Sequence, residues 1–170
     1  MRDNIVLIGM PGVGKSTAGV ILAKILGYQF IDADLLIQKS QGKKLKEIIE
    51  EKGVDGFLEI ENAVCKSLCP EKTIIATGGS AVYGKEAMEH FKEIATVIYL
   101  KLEYPYLARR LGNLKQRGVV LRRGQSLKDL YVERAPLYEQ YADIVVDEHR
   151  CTIEQTVEKM VEGLNNFNAN

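Results

Sequence analysis

Residues 9–17 form a glycine-rich stretch that ends in a lysine and two hydroxyl residues, Gly9-Met10-Pro11-Gly12-Val13-Gly14-Lys15-Ser16-Thr17. It directly follows an apolar run at residues 5–8, which gives the strand-then-helix context of a phosphate-binding loop. The glycines let successive backbone N–H groups surround anionic oxygens, and the N-terminus of the following helix adds positive potential. The pattern therefore predicts that the chain binds a nucleoside triphosphate.

Two side chains of this loop have distinct expected roles. Lys15 is expected to reach the outer phosphates, and the Ser16 hydroxyl to bind Mg²⁺, which shares its oxygen ligands with nucleotide phosphates. The alternative is an ordinary glycine turn; with Gly at ~7% of residues, the full string should arise by chance in about one in a hundred chains of this size. The residues expected to contact the nucleotide are Gly12, Val13, Gly14, Lys15, Ser16 and Thr17.

Two aspartates, Asp32 and Asp34, follow the apolar residues of a second predicted strand. In open parallel sheets, ligands bind beyond the carboxyl ends of the strands, so both carboxylates are expected to face the nucleotide. Alternate strand residues point the same way, which lets Asp32 steady the magnesium ion while Asp34 holds an acceptor hydroxyl. The alternative role is helix N-capping, which Asp34 could combine with ligand binding.

The composition fits one domain spanning residues 1–170. The chain is 46% hydrophobic, and its 23 Lys and Arg residues balance its 23 Asp and Glu residues. This balance gives no electrostatic footprint for nucleic acid or an anionic membrane. There is no N-terminal signal pattern and no apolar stretch of the ~20 residues that span a bilayer. The sequence thus predicts a cytoplasmic protein without nucleic-acid or membrane partners. A monomer is expected, with a dimer left open.

The three cysteines favour a reducing compartment, because an odd number does not suit a disulfide framework. Cys65 and Cys69 are four residues apart and would share one face of a helix. Free cysteine is among the most buried residue types and no third metal ligand lies nearby in sequence, so core packing is favoured over a metal pair. His90 and His149 are isolated, which favours surface or helix-end roles.

Short apolar runs alternate with helix-like segments along the chain. The predicted strands are residues 4–8, 29–32, 73–77, 95–100 and 143–147. Helices are predicted at residues 15–26, 45–52, 54–69 and 151–164. A further helix is predicted from residue 126 toward 141, with Pro136 expected to kink it or end its first section. The alternation predicts an α/β fold with a five-stranded parallel sheet covered by helices on both faces.

Three further segments have predicted properties of their own. Residues 33–69 form an insertion longer than a simple crossover and are expected to hold an acceptor. Residues 112–125 carry Lys115, Arg117, Arg122 and Arg123 among three glycines, which favours a mobile lid over the transferring group. A solvated surface loop is the alternative. Residues 165–170 are predicted to be a polar tail.

Through these motifs the chain resembles the shikimate kinase family of small P-loop kinases over nearly its whole length. The resemblance implies the P-loop kinase fold and Mg²⁺-dependent phosphoryl transfer from ATP to a hydroxyl of a small acid, with shikimate as the leading acceptor. The matching features are the loop at residues 9–17, Asp32 and Asp34, Gly78-Gly79, and the string Arg134-Ala135-Pro136-Leu137-Tyr138 ahead of Ala142-Asp143.

The resemblance also implies roles for single residues. Arg117 matches a lid arginine that contacts phosphate, and Arg110 matches a residue that stacks on adenine. Arg134 matches an arginine that clasps the acceptor's carboxylate, a task that suits the planar fork of a guanidinium. The expected catalytic residues are Lys15, Asp34 and Arg117. The expected acceptor-binding residues are Asp34, Glu61, Gly78, Gly79 and Arg134, and the expected metal ligands are Ser16 and Asp32.

The sequence departs from the family pattern at the expected acceptor site. Leu58 stands where a second carboxylate-binding arginine belongs, Val54 replaces a glutamate, and Ser80 replaces a third glycine. The lid reads Arg-Gly-Val-Val at residues 117–120, where the family has Arg-Pro-Leu-Leu. Glu61 braces the missing arginine in the family, so here it is expected to favour an acceptor with an amine or extra hydroxyl groups.

Several alternative functions stay open at this point. A kinase for another small polyol, amino acid or hydroxy acid would use the same catalytic parts. A nucleoside monophosphate kinase shares the loop, the lid and the size, but residues 41–69 contain no arginine for an acceptor phosphate. A regulatory GTPase is disfavoured because no Asn-Lys-x-Asp string is present. A non-catalytic nucleotide sensor would use Lys15 and Ser16 but would have no use for Asp34 and Arg134.

Overall fold

The computed structural model describes residues 2–111 and 119–169 and contains a five-stranded sheet flanked by helices. The strands are β1 (Asn4–Ile8), β2 (Gln29–Asp32), β3 (Thr73–Ala76), β4 (Ala95–Lys101) and β5 (Ile144–Asp147). The helices are α1 (Lys15–Leu26), α2 (Ala33–Gln41), α3 (Leu45–Lys66), α4 (Lys85–Ile94), α5 (Tyr104–Arg110), α6 (Leu127–Tyr141) and α7 (Ile153–Asn168). A short 3₁₀ turn covers Ala81–Tyr83.

The sheet has the order β2-β3-β1-β4-β5, and every neighbouring pair is parallel. Strands β1 and β3 are buried along their whole length, as expected for a parallel sheet covered on both faces. Ala76 pairs with both Leu7 and Asp32, so the carboxyl ends of β1, β2 and β3 lie side by side. The predicted α/β fold is confirmed, and the segments that follow these three strands meet at one edge of the sheet.

Helix α1 packs closely on the sheet at Gly19. A Cβ atom at this position would lie 2.7 Å from Phe30 Cε2 and 3.1 Å from Leu7 Cδ1. Because α1 begins at the end of the phosphate-binding loop, this close approach helps to fix the loop above the strands.

Gly19→Ala is expected to destabilise the protein, because the added methyl group would overlap both neighbours. The 2.7 Å approach to Phe30 favours the upper part of the overpacking range, about 2–3 kcal/mol, and a gain in helix propensity of about 1 kcal/mol offsets part of this cost. We expect a net loss of about 1–2 kcal/mol in the free energy of unfolding by urea titration. Val20→Ala, at the exposed neighbouring position, is the matched control. Equal stability of the Gly19 variant and the parent would contradict the close packing.

Helices α2 and α3 form the predicted insertion and have a small core of their own. Its buried members are Ile37, Ile48, Phe57 and Val120, so residues following the undescribed segment 112–118 pack against the insertion. Gly53 breaks α3 with a φ of 72°, a positive value that glycine adopts without steric cost. The two helices predicted on either side of this glycine are thus present.

The predictions for three helices need correction. Helix α6 continues through Pro136 to Tyr141, so its first section does not end there. Helix α7 extends to Asn168, and most of the predicted polar tail is therefore helical. Helix α3 ends at Lys66, which leaves Cys69 outside the helix and exposed, whereas Cys65 is buried in the core.

None of the helices in the described part of the chain combines the length and the apolar character that a membrane span requires.

Candidate active site

The phosphate-binding loop connects β1 to α1 and presents the open N-terminus of that helix. Gly14, the N-cap residue, has a φ of 101°, and no side chain caps the helix. The backbone N–H groups of the first helical turn are consequently available to an anion. The loop therefore has the backbone arrangement that its sequence predicts for phosphate binding.

Lys15 is folded inward over this loop. Its side chain is buried at 7% exposure, and its Nζ donates hydrogen bonds to the carbonyl oxygens of Gly9 (2.7 Å) and Met10 (2.9 Å). Burial lowers the pKa of Lys15 to about 8, an effect that the nearby Asp34 carboxylate partly opposes. Both of these hydrogen-bond partners are neutral, and no carboxylate in the described part of the chain lies within 4.0 Å of the ammonium group.

Ser16 and Asp32 form a pair of oxygen donors beside the loop. Ser16 Oγ donates to Asp32 Oδ2 at 2.8 Å, while Asp32 Oδ1 accepts from the backbone N–H groups of Asp34 (3.0 Å) and Leu35 (3.3 Å). Asp32, not Asp34, is thus the N-cap of α2. A hydroxyl and a carboxylate suit Mg²⁺, which commonly keeps waters and phosphate oxygens as its other ligands. No cluster of three or more His, Cys, Asp or Glu side chains in the described part of the chain could hold a metal.

A cavity of about 260 Å³ lies between the loop, the insertion and the end of β3. Asp34 borders it on one side and Arg134 on another. Burial raises the pKa of Asp34, and the neighbouring Asp32 charge adds to this effect while Lys15 opposes it. The predicted site residues that line the cavity are Gly12, Gly14, Lys15, Ser16, Thr17, Asp34, Gly78, Gly79 and Arg134.

Arg134 has an unusual environment for a guanidinium group. Its side chain is 1% exposed, yet it forms no ion pair within 4.0 Å among the described residues. Its partners are the Val120 carbonyl oxygen (Nη2 at 3.0 Å) and the Tyr83 hydroxyl (Nε at 3.3 Å), and the Tyr83 ring lies 5.2 Å below it. Because buried charges are normally paired, the guanidinium group of Arg134 is available to bind an anion in the cavity.

Four of the predicted site residues that the structure describes do not line the cavity, namely Val13, Asp32, Glu61 and Arg110. Val13 is buried beside it, and its carbonyl oxygen accepts a hydrogen bond from Arg110 Nη1 at 3.3 Å. Asp32 accepts the hydrogen bond from Ser16, and Glu61 lies next to Gly78. Arg117, like Lys115, lies outside the described residues.

The region beside Arg110 contains a buried acid that the sequence analysis missed. Glu148 is 2% exposed, and its Oε2 lies 3.7 Å from Arg110 Nη1 without a hydrogen-bond partner among the described residues. Burial raises the pKa of Glu148 to about 7, although the Arg110 charge opposes this. Glu148 directly follows β5, so the rule that ligands bind beyond strand ends could have identified it.

Tyr138 and Tyr83 were also missed, although Tyr138 lies in the string that carried the resemblance. Tyr138 Oη donates to the Gly79 carbonyl oxygen at 2.6 Å and lies 3.7 Å from Met10 Sδ. Leu58, which replaces the family's second arginine, packs against the small core of the insertion instead. Among the described residues, Arg134 is therefore the only arginine that lines the cavity.

The comparison with known proteins agrees with this arrangement. A model of the shikimate kinase family matches residues 11–165. Shikimate kinase from Thermodesulfovibrio yellowstonii is 35% identical over 162 residues, covering 94% of this chain and 93% of that protein. Shikimate kinase from Thiobacillus denitrificans is 38% identical over 156 residues, covering 89% and 85%.

Solved structures give the same result. Shikimate kinase from Acinetobacter baumannii in complex with shikimate has a TM-score of 0.86 at 29% identity, with 96% of this chain and 93% of that chain covered. Shikimate kinase from Aquifex aeolicus has a TM-score of 0.84 at 31% identity, with 98% of each chain covered. A gluconokinase from Sinorhizobium meliloti, at 18% identity and a TM-score of 0.59, shares the fold alone. The chain belongs to the shikimate kinase family.

Proposed function

We propose that this protein transfers the terminal phosphoryl group of ATP to a hydroxyl of shikimate. Members of its family are phosphotransferases that act on a hydroxyl group and use ATP with Mg²⁺. The observation that carries the choice of acceptor is the buried guanidinium of Arg134 at the cavity wall, which forms no ion pair with any residue that the structure describes. A carboxylate matches this group in charge and in its planar, two-oxygen geometry.

The side chains around the cavity divide the work of the reaction. Arg134 binds the carboxylate, and Asp34 accepts a hydrogen bond from the acceptor hydroxyl and directs its oxygen toward the phosphate. Lys15 moves from the loop carbonyls to the phosphate oxygens and neutralises charge there. When bound, Mg²⁺ adds further charge neutralisation on the phosphates. Since phosphoryl transfer passes through a loose transition state, alignment matters more here than a strong base.

The alternatives raised by the sequence are less well supported. Family membership does not favour a nucleotide sensor, a nucleoside monophosphate kinase or a kinase for a different acceptor. We also propose that the enzyme is cytoplasmic, because its three cysteines are free, and that it is monomeric, which light scattering would test.

The direct test is ADP production by the purified protein with Mg²⁺, ATP and an acceptor panel. We expect turnover with shikimate, and little with gluconate, homoserine or nucleoside monophosphates. Tight ATP binding without acceptor-dependent ADP release would contradict the proposal and favour a sensor. Turnover of another panel member in preference to shikimate would contradict the choice of acceptor.

Arg134→Met is expected to raise the KM for shikimate, because methionine keeps the apolar packing and removes the charge. Loss of one partner of a buried charge pair costs about 2–5 kcal/mol, so KM should rise roughly 30- to several-thousand-fold. The KM for ATP should change little. Lys128→Met, an exposed change on the same helix, is the control. A rise in KM of less than about threefold, below 1 kcal/mol, would exclude Arg134 as the carboxylate ligand.

A further inference from the structure

Glu61 is a buried acid whose two carboxylate oxygens differ in their hydrogen bonding. Its side chain is 2% exposed, and Oε2 accepts a hydrogen bond of 2.6 Å from Ser80 Oγ. Oε1 is buried without a hydrogen-bond partner among the described residues. Buried polar atoms are rarely left unpaired, so this oxygen calls for a functional or structural reason.

The unpaired oxygen lies directly behind the cavity wall. A Cβ atom on Gly78 would lie 2.6 Å from Glu61 Oε1 and 2.7 Å from Asp34 Oδ1. The two carboxylates therefore approach the same side of Gly78, a residue that, like Asp34, lines the cavity. Ser80 itself lines the cavity and fixes the orientation of the Glu61 carboxylate from the other side.

Charged groups from three other helices surround Glu61. Asp34 of α2 repels it, while Arg134 of α6 and Lys15 of α1 attract it. Two further titratable groups face it, Cys65 on its own helix and Tyr138 on α6. An ionised Glu61 therefore reduces the positive potential that Arg134 offers to an anion in the cavity, and a neutral Glu61 does not.

We propose that Glu61, oriented by Ser80, is a positioning residue that sets the affinity of the site for the acceptor's carboxylate through its own charge. The inference rests on the proposed function, since it requires an acceptor with a carboxylate. The ionised form weakens acceptor binding, and the protonated form strengthens it. Leu58 supplies no cation to neutralise Glu61, so its charge acts on the cavity without compensation from that position.

The titration of Glu61 falls in a range where this effect can be measured. Burial raises the pKa of Glu61 to about 7, and the hydrogen bond from Ser80 limits the rise because it favours the ionised form. Raising the pH through about 7 should therefore ionise Glu61 and raise the KM for shikimate. A repulsive interaction across one glycine in a partly shielded site corresponds to a change of roughly tenfold.

The test compares the pH dependence of the KM for shikimate in the parent and in Glu61→Gln, from about pH 6 to 8. The parent KM should rise roughly tenfold, whereas Glu61→Gln should stay near the low-pH value. Lys15 and Glu148 also titrate in this range, but both are kept in the variant, so the difference between the two profiles isolates Glu61. Parallel profiles would overturn the inference.

Ser80→Ala provides a second variant that keeps the acid. Without the Ser80 hydroxyl, the ionised form of Glu61 loses a hydrogen bond, so the midpoint of the KM profile should move to higher pH. Ser80 has an ordinary backbone conformation, with φ −88°, which alanine also adopts. An unchanged midpoint would contradict the role of Ser80, even if Glu61→Gln does not fold.

A matched acceptor separates an electrostatic role from a structural one. Shikimate carboxamide lacks the negative charge, so its KM should show the same pH dependence in the parent and in Glu61→Gln. A difference between the two enzymes that persists with the carboxamide would indicate a structural role and overturn the inference. Absence of shikimate-dependent ADP release from the parent would instead refute the proposed function.

Discussion

Lys15→Met should reduce kcat for shikimate phosphorylation roughly 100- to 1000-fold, the range found when one preorganised charge-stabilising donor is removed. The reason is the position of the ammonium group, which is buried and held by two neutral carbonyl oxygens at the phosphate-binding loop. Phosphate oxygens are far stronger partners, so the charge is available to the reacting group. Methionine fills the same space without charge, and kcat from a coupled ADP assay measures the loss.

The control for this variant is Lys24→Met, an exposed change on the same helix that should leave kcat unchanged. The lowered pKa of Lys15, about 8, adds a second readout. In the free enzyme the positive charge disappears as pH rises through this value, so the affinity for ATP should weaken on the alkaline side. The Lys15 variant should lack this dependence. A kcat within tenfold of the parent would exclude Lys15 as a main source of charge stabilisation.

Asp34→Asn should reduce kcat roughly 100- to 10,000-fold, the usual contribution of a side chain that accepts a proton or orients a nucleophile. The amide keeps the size of the carboxylate but removes its charge and half of its accepting capacity. Because Asp32 caps helix α2, the change should leave the helix intact. Steady-state kcat with saturating shikimate and ATP measures the effect.

The pH profile provides an independent check on Asp34. Burial raises the pKa of this carboxyl group, so the parent should lose activity at a higher pH than an exposed aspartate would, as protonation removes the acceptor for the substrate hydroxyl. Asp55→Asn, an exposed change on α3, is the control. If the activity of the Asp34 variant falls at low pH in the same way as that of the parent, the loss at low pH belongs to another group.

The sequence was most informative where one short segment contains a whole functional unit. The loop at residues 9–17 carries its own backbone geometry, because its glycines and the following helix are local features. Asp32 and Asp34 could be placed because strand ends in a parallel sheet meet at one edge. The five strands were predicted to within a few residues because each contains a short apolar run, which is longest in the buried strands β1 and β4.

The sequence was less informative where function depends on contacts between distant segments. Ser80 and Glu61 are separated by 19 positions and meet only because α3 packs beside the end of β3. Arg134 acquires its partners from residues 14 and 51 positions away, and no local pattern shows that it is buried without an anion. Arg117 lies outside the described residues, and its role at the phosphate stays a prediction.

The two aspartates that follow the apolar residues of β2 have different roles in the structure, one in capping α2 and one at the cavity. Either aspartate could cap the helix or serve the ligand, and the sequence did not separate these tasks. The structure separates them, because Asp32 immediately precedes the helix and its carboxylate accepts hydrogen bonds from backbone N–H groups of the first turn. Asp34, the second residue of the helix, is thereby left facing the cavity.

Tyr138 joins parts of the molecule that otherwise have separate tasks. Its hydroxyl contacts the segment after β3 and the phosphate-binding loop, and its ring stacks on Tyr99 of β4 at 5.1 Å. Efforts to redirect this scaffold toward new alcohols should therefore leave Tyr138 untouched and diversify Leu45, Ser80 and Val119, which line the cavity, instead. Changes at these three positions alter the wall of the pocket, whereas loss of the phenol would detach the segment after β3 from the phosphate-binding loop.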